Sequence, residues 1–141
     1  MYINSHRSGT LLEDMYWFDY ETESIICHKL DEVKEQTIRS THNIDRKLKT
    51  YPSVIPVHTH PSSLPPSPAD FNCMVNYGYD LGIVLCHNGK VILYTANHCI
   101  DDTLWEKYVQ NFLLDGCDEF SAQIQALNKF KDNGDIDFWE V

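Results

Sequence analysis

The sequence contains no apolar run near the roughly 20 residues that a membrane-spanning helix needs, and residues 1–9 lack the apolar stretch of a secretory signal. Basic residues are also scarce: 11 Lys and Arg stand against 21 Asp and Glu, which gives a formal net charge of −10. A surface of this sign repels nucleic-acid phosphates and anionic lipid headgroups. We therefore expect a cytoplasmic protein whose partners include neither a membrane nor nucleic acid.

Paired cysteine motifs are absent as well. The five cysteines are odd in number and never have Cys-x-x-Cys spacing, so they predict reduced core residues and neither a disulfide framework nor a cysteine zinc site. At 141 residues, 43% of them hydrophobic, the chain is long enough to bury a core. We expect a single domain over residues 1–141.

Proline, in contrast, is concentrated: all six prolines lie between Pro52 and Pro68. Residues 53–57 are apolar and β-branched, which predicts a short buried strand, and His58 and His60 follow at its end. Side chains at i and i+2 on a strand point to the same face. The two imidazoles should therefore face the same way, beside a rigid proline-rich loop.

A helix start follows the loop, in the sequence Ser67-Pro68-Ala69-Asp70. Ser67 suits the N-cap, Pro68 the first helical position and Asp70 the first turn. Taken alone, Ser67 and Asp70 are a capping box, and a His-x-His pair alone is often a pair of surface histidines. The joint pattern is much rarer, and it predicts a metal site.

Two neutral imidazoles and a carboxylate are ligands that zinc accepts, and three protein ligands leave the fourth position open to water. His58, His60 and Asp70 are therefore the candidate ligands of one catalytic zinc ion per chain. Ser67 and Asp70 can serve the helix cap and the site together, because a capping position holds a ligand rigidly.

The pattern His58-Thr59-His60-Pro61 with Ser67-Pro68-Ala69-Asp70 resembles the signature of the JAMM, or MPN-plus, zinc metalloproteases, and among them divergent bacterial or phage members. The resemblance covers nearly the whole chain. It implies an α/β fold similar to the JAB/MPN (cytidine-deaminase-like) fold, with a mixed sheet flanked by helices. It also implies hydrolysis of an amide or isopeptide bond, typically one that joins a ubiquitin-like protein to a lysine. Ser67 would then help to stabilise the tetrahedral oxyanion.

The same resemblance implies a general base, a Glu at the start of an early strand. The best candidate is Glu13, immediately before the aromatic strand predicted at residues 15–20, where strand pairing can carry it to the site. Glu21 or Glu23 is next, although both lie in a predicted turn. Glu32 and Glu35 lie in a charged stretch that is more typical of a solvated surface.

The remaining pattern alternates strands and helices. We expect strands at 24–30, 81–86, 91–96 and 136–141, with a hairpin turn at Asn88-Gly89. Helices are predicted at 41–49, 68–77, 103–116 and 119–131, with Thr103 and Glu106 as a capping box for the third. The three tryptophans are assigned to the core, and the histidines other than His58 and His60 are not expected to bind metal.

Two other classes of function remain open. One is a nonpeptidase relative of the same family, of the type associated with bacterial DNA repair, against which the acidic charge counts. The other is a catalytically silent interaction scaffold. Scaffolds of this family typically lose the ligand residues, and this chain keeps all three. The sequence does not indicate an oligomeric state.

Overall fold

The computed structural model describes residues 14–30 and 46–141. In this part of the chain six strands form one mixed sheet in the order β2-β1-β3-β4-β5-β6. The strands are β1 (Asp14–Asp19), β2 (Ile25–Leu30), β3 (Val54–His60), β4 (Gly82–Cys86), β5 (Val91–Ala96) and β6 (Ile136–Glu140). The α/β class and the mixed sheet predicted from the sequence are confirmed.

Three longer helices accompany the sheet: α1 (Pro68–Tyr77), α2 (Asp102–Leu114) and α3 (Glu119–Asp132). α1 begins after Ser67, has Pro68 at its first position and ends at Gly78, whose φ of 70° is the left-handed conformation that glycine adopts without strain. These are the boundaries that the sequence predicts. None of the helices in the described part of the chain has the length and apolar character needed to cross a membrane.

Strand β3 lies inside the sheet and pairs with a different orientation on each side. It runs antiparallel to β1, with Met15 opposite His58, and parallel to β4, with His60 opposite Cys86. The end of β3 that carries both histidines therefore lies beside the beginning of β1 and the end of β4. The adjacent proline-rich loop leads directly into α1.

The helices pack on one face of the sheet, which we call the helix face. Its core joins Phe71 and Met74 of α1 and Leu127 of α3 to Val84 and Tyr94 of the sheet, all at most 2% exposed. Removing such surfaces from water at about 25 cal/mol per Å2 is the main force that holds α1 against the sheet. Because α1 carries Asp70 and the sheet carries His58 and His60, this core fixes the two halves of the candidate site to each other.

The opposite face of the sheet also carries an apolar cluster, formed by Tyr16, Val57 and Leu85 with partly buried neighbours. At one end of this face lies a separate cleft of about 520 Å3, lined by apolar strand residues together with Glu21 and Glu23. We call it the rear cleft.

Several detailed expectations are corrected by the structure. Helix α2 is capped by Asp101 and not by Thr103, because Asp101 Oδ1 accepts hydrogen bonds from Thr103 N–H (2.9 Å) and Leu104 N–H (3.2 Å). Trp139 lies on the edge strand β6 with 42% of its surface exposed, so it is not a core residue. The five cysteines are free, as expected, but only Cys86 is buried.

Helix 41–49 is described only from residue 46, where a helical turn spans residues 46–48 and Leu48 is buried. Its earlier residues, including Ile44, lie outside the described residues.

Candidate metal centre

Strand β3 brings His58 and His60 to the helix face of the sheet. Alternation along the strand places both rings on this side, while Thr59 between them faces the other way and accepts a hydrogen bond from Asp14 N–H (3.0 Å). Asp70, in the first turn of α1, meets the two rings from the facing layer. The structure thus brings together the three residues that were predicted from the sequence as candidate metal ligands.

The three side chains converge through their ligand atoms. His58 Nε2 lies 2.8 Å from His60 Nε2 and 3.2 Å from Asp70 Oδ1. His60 Nε2 lies 3.5 Å from Asp70 Oδ2. One ligand atom from each residue falls within 4.8 Å of the others, and among the described residues this is the one such group of His, Cys and acidic side chains. The cluster is largely shielded: the side chains of His58, His60 and Asp70 are 3%, 11% and 18% exposed.

These spacings fit a metal ion. Two ligand atoms about 2.0–2.1 Å from a tetrahedral zinc ion are about 3.3 Å apart, close to the two distances to Asp70 and 0.5 Å longer than the one between the imidazoles. A modest separation of the two rings would therefore accommodate an ion. Two imidazoles and one carboxylate are also a donor set that suits zinc.

The ring of His60 is oriented from behind by a backbone carbonyl. Its Nδ1 lies 2.8 Å from Leu64 O, and because a carbonyl only accepts, Nδ1 carries a proton, and Nε2 is the ring atom that faces the cluster. Leu64 O also accepts from the thiol of Cys86 at 3.6 Å. Burial raises the pKa of that thiol to about 11, so it stays protonated and suits the donor role. In histidines that bind metal, the ring nitrogen that faces away from the metal typically has such a hydrogen-bond partner.

Asp70 is held by the helix that it begins. Its Oδ2 accepts a hydrogen bond from Ser67 N–H at 2.8 Å, which is the half of the capping box that fixes a carboxylate. Burial alone would raise the pKa of this carboxyl group, but the charges and hydrogen bonds of His58 and His60 outweigh burial and hold it well below its usual range. Asp70 is therefore ionised and held by the backbone, as a candidate metal ligand should be.

The inner side of His58 packs against the core. Its ring makes an edge contact with Tyr94, whose centroid is 6.4 Å away, and Tyr94 makes a second edge contact with Phe71 of α1 at 5.3 Å. Gly82 leaves room for Tyr94, since a Cβ there would lie 2.3 Å from Tyr94 Cζ. Packing against Tyr94 thus fixes the ring of His58, the first of the three candidate ligands.

A cleft of about 270 Å3 opens beside the cluster, and we call it the metal cleft. It is lined by His60 and Asp70 of the cluster, by Ser67, by residues of the proline-rich loop, and by Trp105 and Gln123 from α2 and α3. Ser67 therefore lies on the cleft that leads to the cluster, where a hydroxyl can meet a bound ligand.

The structure places two of the candidate general bases, Glu21 and Glu23, far from the cluster. Glu21 and Glu23 line the rear cleft, beyond the end of β1 at which Asp19 pairs with Val54. Val54 is four residues before His58, a distance of about 13 Å along a strand. Neither glutamate can therefore serve the cluster directly. Glu13, like Glu32 and Glu35, lies outside the described residues.

Trp105 and Gln123 are the cleft residues that sequence reasoning missed. Trp105 was assigned to the core, and its partly buried ring does pack against two of the apolar core clusters, but it also lines the metal cleft. Trp105 and Gln123 follow Asp70, the last residue of the motif, by 35 and 53 positions, and they reach the cleft only because α2 and α3 pack on the sheet. No local pattern marks them.

Among the other described histidines, His28 stacks on Tyr16 with ring centroids 5.7 Å apart, and the side chain of His98 is 73% exposed. Neither belongs to the group of possible metal ligands.

Comparison with known proteins identifies no relative. No family model matches the chain, and neither the curated proteins nor the solved structures include a match. Functional assignment therefore depends on the residues and their geometry.

Proposed function

We propose that this chain is a zinc-dependent hydrolase of amide or isopeptide bonds, of the JAMM type, with one zinc ion per chain. The observation that carries the proposal is the convergence of His58 Nε2, His60 Nε2 and the Asp70 carboxylate at the cleft that Ser67 lines. The mixed sheet, with the two histidines on β3 and the carboxylate at the start of α1, agrees with the JAB/MPN fold implied by the sequence motif.

His58, His60 and Asp70 would hold the metal. Zinc bound there supplies a water of lowered pKa and polarises the substrate carbonyl. Two hydrogen bonds keep His60 and Asp70 in place during turnover: His60 Nδ1–H donates to Leu64 O, and Ser67 N–H donates to Asp70 Oδ2.

Glu13 is our proposed general base, which accepts a proton from the attacking water and passes it to the leaving amine. The support is the register of the sheet: β1 begins at Asp14, and Met15 lies opposite His58. Glu13 is two residues from Met15, the spacing of side chains that share one face of a strand. The Ser67 hydroxyl donates a hydrogen bond to the oxyanion of the tetrahedral intermediate.

A ubiquitin-like protein or its conjugate is the proposed substrate, and support for it comes from the motif alone. Among the residues that the structure describes, no Lys or Arg lines the metal cleft, so the cleft gives no support to the DNA-repair alternative. The scaffold alternative predicts no metal binding at all, in contrast to the ligand spacing of the cluster.

The proposal is tested with zinc-reconstituted protein and a ubiquitin-like protein that carries a C-terminal fluorogenic amide. We expect cleavage that Glu13→Gln lowers about 100- to 10,000-fold and Ser67→Ala about 100- to 1,000-fold, with zinc content unchanged in both. His98→Ala is the matched control, because it removes an exposed histidine outside the cluster. A zinc-loaded protein that cleaves neither this substrate nor a mixed peptide library would refute the assignment.

A further inference from the structure

The rear cleft lies on the face of the sheet opposite the metal cluster. Its apolar lining comes from three neighbouring strands: Phe18 of β1, Ile55 and Val57 of β3, and Ile83 and Leu85 of β4. The register of the sheet brings them together, since Phe18 is paired with Ile55 and Val57 with Ile83. The volume of about 520 Å3 is within the range of about 300–1,000 Å3 that is typical of ligand pockets. The cleft therefore has the size and the apolar lining of a binding site.

Apolar surface continues beyond the cleft toward β2. Ile25 is paired with Phe18 across the first hairpin, and 50% of its surface is exposed. Tyr20, which lines the cleft, is 61% exposed. Neighbouring exposed apolar side chains with a polar rim are typical of interaction sites.

One end of the rear cleft is acidic. The charged side chains among its described lining residues are Asp19, Glu21 and Glu23, and no described Lys or Arg lines it. The carboxylate of Asp19 accepts hydrogen bonds from Glu21 N–H (3.2 Å) and from the Thr22 hydroxyl (2.8 Å). These bonds hold the turn that carries Glu21 and Glu23, both of which are exposed. A ligand in the cleft therefore meets two ordered carboxylates at this end.

The aromatic ring of Tyr20 favours the same kind of ligand as the carboxylates. The face of an aromatic ring attracts an ammonium or guanidinium group. An acidic ligand would be repelled by Glu21 and Glu23, whereas a basic one is attracted. The charges and the ring together select a cation.

The apolar and acidic parts of the cleft are separated by a distance that an extended peptide spans. Val57 is three residues from Val54, the residue paired with Asp19, which corresponds to about 10 Å along the strand. In an extended peptide every second side chain lies on the same face, at intervals of about 6.6 Å. A lysine or arginine two residues after an apolar residue therefore reaches the acidic end, because its long side chain covers the remaining distance.

From these observations we infer that the rear cleft binds an extended peptide segment of a partner protein, in which an apolar residue is followed two positions later by lysine or arginine. The apolar side chain packs between Phe18, Ile55 and Ile83, and the basic one meets Glu21 and Glu23. The inference does not rest on the proposed function, because the rear cleft and the metal cluster lie on opposite faces of the sheet.

Three short peptides test the inference by nuclear magnetic resonance titration of the isotope-labelled protein. The first is acetyl-Leu-Ser-Leu-Ser-Lys-amide, the second has glutamate in place of the lysine, and the third has serine in place of both leucines. At low ionic strength, we expect saturable shifts at the β1–β2 turn and on β3 and β4 with the first peptide. It should bind at least about 10-fold more tightly than either of the others, since the second is repelled and the third loses its apolar contacts.

Substitutions in the cleft separate the contribution of charge from that of the apolar lining. Glu21→Gln combined with Glu23→Gln should reduce the preference for lysine over glutamate to less than about 3-fold. Ile55→Ala should weaken both leucine peptides several-fold and leave this preference unchanged. Glu106→Gln combined with Asp132→Asn is the matched control, because it removes the same charge from exposed positions on α2 and α3. This control should keep the full preference.

Two results would overturn the inference. One is the absence of saturable binding of the lysine peptide to the wild type. The other is an equal loss of preference in the two double variants, which would assign it to the net charge of −10 and not to the cleft. His60→Ala should bind the lysine peptide as the wild type does, even though its metal cluster is incomplete. Failure of the wild type to bind zinc would therefore refute the proposed function and leave this inference standing.

Discussion

His60 and Leu64 are joined by a hydrogen bond of 2.8 Å from the imidazole Nδ1 to the backbone carbonyl, across the four-residue span that contains Pro61. The same carbonyl accepts from the thiol of Cys86, the residue opposite His60 in the sheet. The proline-rich loop is thereby closed onto the strand that it follows. The loop thus holds the ring of His60, a candidate metal ligand, in one orientation.

Asp70→Asn separates the ligand role of this residue from its role in the helix cap. An amide oxygen can still accept from Ser67 N–H, so the helix cap is kept, but the metal-free protein loses the attraction between the Asp70 carboxylate and the two imidazoles, and its melting temperature should fall. Zinc affinity should fall by more than about 100-fold, beyond the loss of about 10- to 100-fold that is typical when a residue that only hydrogen-bonds to a ligand is replaced. Competition with a chromophoric chelator measures the affinity. Asp101→Asn, at the cap of α2, is the control and should retain zinc.

Asn72→Ala tests the tie between α1 and the start of α2. The substitution removes both hydrogen bonds to Ile100 and leaves two partly buried backbone groups without these partners. We expect the free energy of unfolding to fall by about 1–3 kcal/mol, measured by urea denaturation. Asn97→Ala is the matched control, since Asn97 makes one exposed hydrogen bond of 3.3 Å to Gly134 O. Equal losses in the two variants would contradict the special role of Asn72.

His87→Gln should weaken the acid sensitivity of the fold. Burial lowers the pKa of His87; Asp14 opposes this and His60 adds to it. The folded protein therefore keeps this imidazole neutral where the unfolded chain protonates it, so stability is complete above about pH 6.5 and falls as the pH drops below that value. In chelator-treated protein, the melting temperature should decrease less from pH 7 to 5 in the variant than in the wild type. An equal decrease of the melting temperature in the variant and in the wild type would contradict this prediction.

Cys86 should resist alkylation in the folded protein. Its pKa of about 11 leaves about one thiol in a thousand ionised at pH 8, and the side chain is fully buried. Cys99 is exposed and should react with iodoacetamide much faster, as peptide mapping by mass spectrometry would record. In denaturant the two should react at similar rates. Rapid labelling of Cys86 without denaturant would mean that the loop at Leu64 is not closed.

The elements of the fold and the metal cluster are largely predictable from local sequence. The boundaries of α1 follow from Ser67, Pro68 and Gly78, whose conformational preferences act within a few residues. The shared face of His58 and His60 follows from alternation along a strand. These are short-range effects, and the sequence expresses them directly.

What the sequence did not predict depends on contacts between distant elements. The start of α2 was placed at Thr103 by its capping signature, but Asn72 fixes Ile100 and the Asp101 carboxylate caps two N–H groups. The position of Trp105 on the metal cleft has the same origin. Tertiary packing selects between local signals of similar strength.

Metal content is the measurement that tests the central claim most directly. The protein is purified without chelators, dialysed, offered zinc and analysed by inductively coupled plasma mass spectrometry, beside His60→Ala and the control His98→Ala. The cluster predicts about one zinc per chain in the wild type and in the control, and a loss of zinc in His60→Ala. No bound metal in the wild type, even after zinc is offered, would contradict the account and leave a binding scaffold in its place.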